Sequence, residues 1–193
     1  KKLVEIKIHD LRKWGLDDRR TVDDRPYGGG PGMIMRVDVV DSALKSLFTD
    51  HRSPTTKVIL LDATGEKFTQ QKALQLSKLE HLILIAGHYE GVDHRIHEHL
   101  VDELISIGDY VLTGGELPAM VLVDTIVRLL PGVIKPESLS EESFSLAINH
   151  QPLDINIEYP QYTRPENYKG WKVPNVLLSG NHKKIKNWRQ ADR

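Results

Sequence analysis

The sequence predicts an α/β fold built on a mainly parallel sheet, and three features carry that reading. Two continuous apolar runs, 58–61 and 82–86, have the composition of strands covered on both faces. Segments of helical length separate them from each other and from a third strand-like run at 102–107. Glycine-bearing loops follow the second and third runs, at 87–91 and 107–115. In open α/β sheets, ligands bind outside the carboxyl ends of the strands, where these loops stand.

Taken in order, residues 3–9 alternate apolar and polar (Leu-Val-Glu-Ile-Lys-Ile-His) and predict a first strand. A charged stretch from Asp17 leads into Arg25-Pro26-Tyr27-Gly28-Gly29-Gly30-Pro31-Gly32-Met33. A helix is predicted at 39–48, a buried strand at 57–62, a turn at Thr64-Gly65 and a helix around 69–78. The strand 82–86 ends in Gly87-His88-Tyr89-Glu90-Gly91, and a short helix near 93–100 leads to the strand at 102–107. A helix over 116–130 is apolar nearly all round, which predicts burial in a core or a subunit interface. From about 135 to 156 the pattern turns polar and irregular, as in a linker. The chain closes on a basic, helix-like run with Lys183, Lys184, Lys186, Trp188, Arg189 and Arg193.

At 193 residues the chain can bury one sizeable core with a small appendage. Its 26 basic and 27 acidic residues leave a net charge of −1, so any nucleic-acid surface must be local. The absence of cysteine excludes a disulfide framework and thiolate metal sites, and fits a reducing, cytoplasmic setting. No apolar run approaches the roughly 18–20 residues of a membrane span, and no signal peptide is recognised. The chain begins at Lys1 without an initiator Met and ends within a helix-like run, so it reads as a fragment of a longer protein.

The segment Ile107-Gly108-Asp109-Tyr110-Val111-Leu112-Thr113-Gly114-Gly115-Glu116-Leu117-Pro118 carries the most chemistry. Its glycines let main-chain amides turn inward, while the aromatic and aliphatic residues between them can wall an apolar ring. The competing reading is a tight strand-to-helix turn. Neither glycine loop matches G-x-G-x-x-G, and Gly28 to Gly32 lack the Lys-Ser/Thr of a P-loop, so a dinucleotide or nucleoside triphosphate site is not expected. The loop 25–33 is either a stiff connector or a contact surface, with Tyr27 for stacking and Arg25 for phosphate. Asp124 and Arg128 share a helix face at i,i+4, either as a surface ion pair or as functional charges on an apolar element. His88, His94, His97 and His99 lack zinc-motif spacing and read as solvated polar residues, so no metal site is predicted. In Ser138-Leu139-Ser140-Glu141-Glu142-Ser143-Phe144, Ser140 reads as a helix N-cap, and the sharper alternative is a general base on a mobile segment.

Five ordered motifs resemble one family. They are residues 20–33, Gly87-His88-Tyr89-Glu90-Gly91-Val92-Asp93, residues 106–119, Tyr162-Thr163-Arg164-Pro165 and Val176-Leu177-Leu178-Ser179-Gly180-Asn181-His182. Together they resemble the bacterial tRNA (guanine-N1)-methyltransferases, the TrmD family of the SPOUT superfamily. The resemblance implies a parallel sheet with a deep trefoil knot in a domain at 1–134, a linker at 135–156, and the start of a small helical tRNA-binding domain at 157–193. It implies an obligate homodimer, S-adenosylmethionine as methyl donor, and methylation of the guanosine at tRNA position 37. By motif, the donor falls among Gly87, Tyr89, Glu90, Ile107, Gly108, Asp109, Tyr110, Val111, Leu112, Gly114, Gly115 and Pro118.

Arg128 falls on the family's catalytic arginine, and Arg25, Tyr27, Gly30 and Arg164 fall on the RNA-facing motifs. Glu142 stands where a catalytic aspartate is usual, with Glu141 as a competing base. His88 replaces a common arginine, Ala63 a common proline, and 145–158 exceeds the usual link. The family's first strand and helix are expected before Lys1, and more of the helical domain after Arg193. Two alternatives remain at this point: a methyltransferase of the same fold acting on another RNA, or a non-catalytic RNA-binding relative. Participation of Mg²⁺ in proton removal is left open.

Overall fold

The computed structural model describes residues 2–48, 53–144 and 157–191. They fall into two compact units, Lys1–Ile134 and Lys135–Arg193. In the first unit a short 3-10 turn, Leu11–Trp14, precedes the two-residue strands β1 (Asp23–Asp24) and β2 (Ile34–Met35). There follow α1 (Val37–Leu47), β3 (Thr56–Lys67), α2 (Gln70–Leu76), β4 (His81–Ala86), α3 (His94–His99), β5 (Glu103–Ser106) and α4 (Glu116–Val127). The second unit holds α5 (Pro136–Glu141), the hairpin strands β6 (Asn167–Tyr168) and β7 (Trp171–Lys172), α6 (Asn175–Leu178) and α7 (His182–Ala191).

The central sheet is parallel, in the order β4-β3-β5. Its middle strand shows why a continuous apolar run marks a doubly covered strand. Val58 and Leu60 face one cluster with Met35, Val40, Leu44, Ile85 and Ile96. Ile59 and Leu61 face the other, with Ala73, Leu76, Ile105, Leu122 and Ile126. Thus α1 and α3 cover one face, and α2 and α4 the other. Each fully buried aliphatic side chain contributes about 1.5–3 kcal/mol. Side chains cap two of these helices: Thr69 accepts from the Lys72 amide at 3.2 Å at the start of α2, and Asp93 from the Arg95 amide at 2.9 Å at the start of α3.

Four local expectations are corrected. Residues 3–9 form no strand, and Ile8 is 91% exposed. Alternation describes two faces, but a strand also needs a hydrogen-bonded neighbour, and among the described residues none pairs with this segment. Thr64-Gly65 does not end the strand; β3 runs on to Lys67 with a register break against β5 between Leu61 and Glu66. Ser140 is not an N-cap, because α5 starts at Pro136 and Ser140 lies near its end. Proline without an amide suits a first helical turn, so the helix starts earlier than the serine signal suggests. The linker expected at 135–156 therefore opens with a helix, while 145–156 lie outside the described residues.

Helix α4 buries only Pro118, Leu122 and Ile126 among the described residues. Leu117, Met120 and Val121 on its other side are exposed, next to exposed Tyr110.

Candidate functional site

The site is built where the chain leaves β4 and where it enters α4. The Gly115 amide donates to the Gly87 carbonyl at 2.8 Å, and His88 bridges Gly114 in antiparallel fashion. A Cβ on Gly115 would lie 2.6 Å from the Ala86 Cα and 2.8 Å from the Gly87 nitrogen. Backbone crosses backbone at that point, so only glycine fits. At Gly114 a Cβ would meet the Glu116 carboxylate and the His88 ring. The two glycine loops predicted from the sequence are thus one structural unit.

Between them lies a cleft of about 360 Å³. Leu61, Ile105, Ile107, Val111, Leu112 and Pro118 supply apolar walls, and Gly87, Gly91, Gly108, Gly114 and Gly115 supply main chain without side-chain cover. Tyr89 and Glu90 stand at its margin, with Tyr89 in the left-handed region at φ 60°. Every predicted donor residue lines this cleft except Asp109, whose carboxylate pairs with Lys67.

Sequence reasoning missed part of the wall. Asp62, Thr64 and Ser106 also line the cleft. Ser106 is buried at the end of β5; its hydroxyl donates to the Gly108 carbonyl at 3.0 Å and accepts from the Gly108 amide at 3.3 Å. That pair fixes how the loop leaves the strand. Asp62 accepts from the Thr64 amide at 2.8 Å and the Thr64 hydroxyl at 2.7 Å, and lies 3.6 Å from His97 Nε2. Burial opposes ionisation of Asp62, but the Thr64 donors and His97 outweigh it and hold the carboxyl below its usual range. The signal available in the sequence was Asp-x-Thr straight after an apolar run, a side-chain turn motif.

The histidine reading needs one correction. His94 and His99 are solvated as expected, but the His97 side chain is only 17% exposed and faces Asp62. His97 lies on the side of α3 that meets the end of β3, so helical position, not residue type, decides its environment.

The loop 25–33 is tied to the same region. The Glu90 amide donates to the Met33 carbonyl at 3.1 Å, and the Met35 amide donates to the Gly91 carbonyl at 3.0 Å. Gly32, at φ 74°, passes so close to Glu90 that a Cβ would fall 2.7 Å from its Oε1. Arg25, Tyr27 and Gly30 are exposed, Tyr27 completely, so this loop presents a ring and a cation to solvent from a fixed base.

Arg128 caps the carboxyl end of α4, half-buried, with its amide on the Asp124 carbonyl at 3.2 Å. Glu142 caps the carboxyl end of α5 in the second unit, also half-buried. Arg164 is exposed in that unit, before a cis proline. There the Arg189 guanidinium lies 4.6 Å from the Tyr159 ring centre, and Tyr162 and Trp188 are 6.3 Å apart. Lys183, Lys184 and Lys186 stand exposed along α7. Among the described residues, no group of three or more His, Asp or Glu side chains gathers as a metal ion would require.

A family model described as tRNA (Guanine-1)-methyltransferase TrmD matches residues 1–193. The chain belongs to the TrmD family. A relative from Dictyoglomus turgidum is 52% identical over 193 residues, covering 100% of this chain and 74% of the relative. A Bacillus subtilis relative is 50% identical over 193 residues, 100% of this chain and 76% of its own length. One from Chloroflexus aggregans is 50% identical over 190 residues, 98% of this chain and 71% of its own. All three carry the name tRNA (guanine-N(1)-)-methyltransferase. For a TrmD-family chain, the α/β architecture and parallel three-stranded sheet agree with the fold class expected from the sequence. No described helix is long and apolar enough to cross a membrane.

Proposed function

We propose that this chain is a tRNA (guanine-N1)-methyltransferase that takes its methyl group from S-adenosylmethionine and acts on the guanosine at tRNA position 37. The observation that supports it best is the junction of 87–91 with 107–115 around a single cleft. Its volume suits a nucleoside, its walls suit an adenine ring, and its glycines leave amides and carbonyls to read the ring's polar edge. Gly115, where a Cβ would strike backbone, lets the two loops close on each other beside that cleft.

When bound, S-adenosylmethionine supplies an electrophilic methyl group. The residues of this chain then have three tasks. The loops 87–91 and 107–115 hold the donor and exclude water from it. Glu142 takes the N1 proton, because N1 of guanine is a poor nucleophile until deprotonated; general-base help of this kind contributes about 10²–10⁴-fold. Glu141 is the competing base. Arg128 donates to the guanine O6 and stabilises the negative charge that grows there. Much of the remaining acceleration is placement.

Loop 25–33, Arg164 and the cations of α7 bind the RNA, and the target base leaves its stack to reach the donor. Residues 157–193 belong to a helical tRNA-binding domain. The exposed apolar side of α4 supports a homodimer, and membership of the family supports a deep trefoil knot. The absence of cysteine fits work in the cytoplasm.

Transfer of a labelled methyl group to tRNA transcripts tests the reading. A transcript with guanosine at position 37 accepts label at N1, and one with another base there does not. Equal labelling of both would move the activity to another site, and the alternative RNA target would stand.

A further inference from the structure

The register break in β3 leaves Asp62, Ala63, Thr64 and Gly65 standing away from the ladder, between the paired residues Leu61 and Glu66. Three of them, Asp62, Ala63 and Thr64, line the cleft. An offset segment at the end of a sheet loses ladder hydrogen bonds and must be fixed by other means. Gly65 supplies one fixing: a Cβ there would lie 2.5 Å from the Ile105 nitrogen, so the backbone is pressed onto β5. Asp62 supplies the other. Its Oδ1 gathers both the amide and the hydroxyl of Thr64, and its Oδ2 faces His97 of α3. Asp62 and His97 are 22% and 17% exposed, so this is a sheltered contact and not a solvated surface pair.

On its own helix, His97 neighbours a second histidine. Its ring lies 5.1 Å from that of His94, which pairs with Glu98 at 3.7 Å, directed toward solvent. Toward the sheet, His97 faces Asp62.

We propose that Asp62 is a positioning residue for the methyl donor: with Thr64 and His97 it holds the 62–64 offset in the shape that forms one wall of the donor cleft. This rests on the assignment of the cleft to S-adenosylmethionine. Its Oδ1 is held by Thr64 and its Oδ2 is turned to His97, so the carboxylate acts through the wall and not by touching the reacting atoms. The ionised state of Asp62 favoured by Thr64 and His97 agrees with that task. Asparagine keeps an acceptor oxygen for Thr64 and loses only the charge toward His97. Alanine loses both.

Calorimetric titration with S-adenosylmethionine, alongside steady-state methyl transfer, tests the proposal on the full chain and on Asp62→Ala, Asp62→Asn and His97→Gln. Loss of two hydrogen bonds from a sheltered turn should weaken donor binding about tenfold in Asp62→Ala. Asp62→Asn should recover most of that loss, and His97→Gln should fall between. The KM for tRNA and kcat at saturating donor should stay within about twofold of the parent. Thermal melting identifies any variant that fails to fold; His97→Gln, which leaves the Thr64 turn intact, then carries the test. Parent-like donor affinity in both Asp62→Ala and His97→Gln overturns the proposal. So does a fall in kcat at saturating donor without a change in donor KM. If the parent chain itself binds no S-adenosylmethionine, it is the donor assignment that fails.

Discussion

At the residue scale, two carboxylates make opposite demands on their surroundings. Glu142 must be ionised to take a proton yet basic enough to keep it for a moment, so Glu142→Gln should abolish methyl transfer while donor binding persists. If activity survives and Glu141→Gln removes it, the base is Glu141. Glu103 does the reverse: it serves stability by staying ionised. Burial pushes it toward protonation, but Lys57 and Lys72 outweigh that and hold its carboxyl below the usual range. Its folded pKa lies below the unfolded value of about 4.3, so its contribution is present above that pH and disappears as the pH falls through the folded pKa. Glu103→Gln should therefore melt below the parent at pH 7, and the gap should close as the pH falls through the folded pKa of Glu103. A constant gap would remove Glu103 from the acid response. Such residue-level facts were partly legible. Glycine-bearing loops at 87–91 and 107–115 were readable from glycines standing at strand ends, whereas their assignment to a methyl donor came only from the family motifs. The burial of His97 and the outward turn of Asp109 were not, since both depend on which side of an element meets its neighbour.

At the element scale, β3 organises the first unit. Leu60 is fully buried on one face and Ile59 on the other, so Leu60→Ala should cost about 2–5 kcal/mol in chemical denaturation. A cost below about 1 kcal/mol would mean that the core does not rest on this strand. The strands β3 and β4 were legible because double coverage leaves an unbroken apolar run, and β5 because a strand-like run follows a segment of helical length. The strand expected at 3–9 failed for the complementary reason: its alternation is a property of the segment, whereas pairing is a property of its neighbours. The continuation of β3 past Gly65 also escaped local reading. Thr-Gly is turn chemistry by composition, yet Gly65 is there to let two strands touch. The apolar girth of α4 is plain in its composition, but composition does not distinguish a core from an interface. Part of its surface, at Leu117, Met120 and Val121, stays exposed among the described residues.

At the scale of the whole molecule, that uncovered surface and the basic helix α7 make separate predictions. Leu117→Asp combined with Met120→Asp places charge where the proposed dimer would be dry, so sedimentation should show monomers and methyl transfer should cease. A variant that remains dimeric and active would put the interface elsewhere. For the RNA, tRNA affinity should fall steeply with salt. Lys183→Ala with Lys184→Ala should lower the log–log slope by roughly 0.7–0.9 for each phosphate that the lysines neutralise. An unchanged slope would take α7 out of the RNA surface. The meeting of two distant loops around one cleft lies beyond local pattern, because it is set by sheet order; only the family motifs make it an expectation.

All of these functional predictions depend on the cleft between 87–91 and 107–115 being the donor site. Calorimetric titration of S-adenosylmethionine into the chain and into Gly115→Val is the most direct test. The account predicts saturable binding to the parent and none to the variant, whose side chain would press on Ala86 and Gly87. Undiminished binding to a folded Gly115→Val chain, or no binding to the parent, would contradict it.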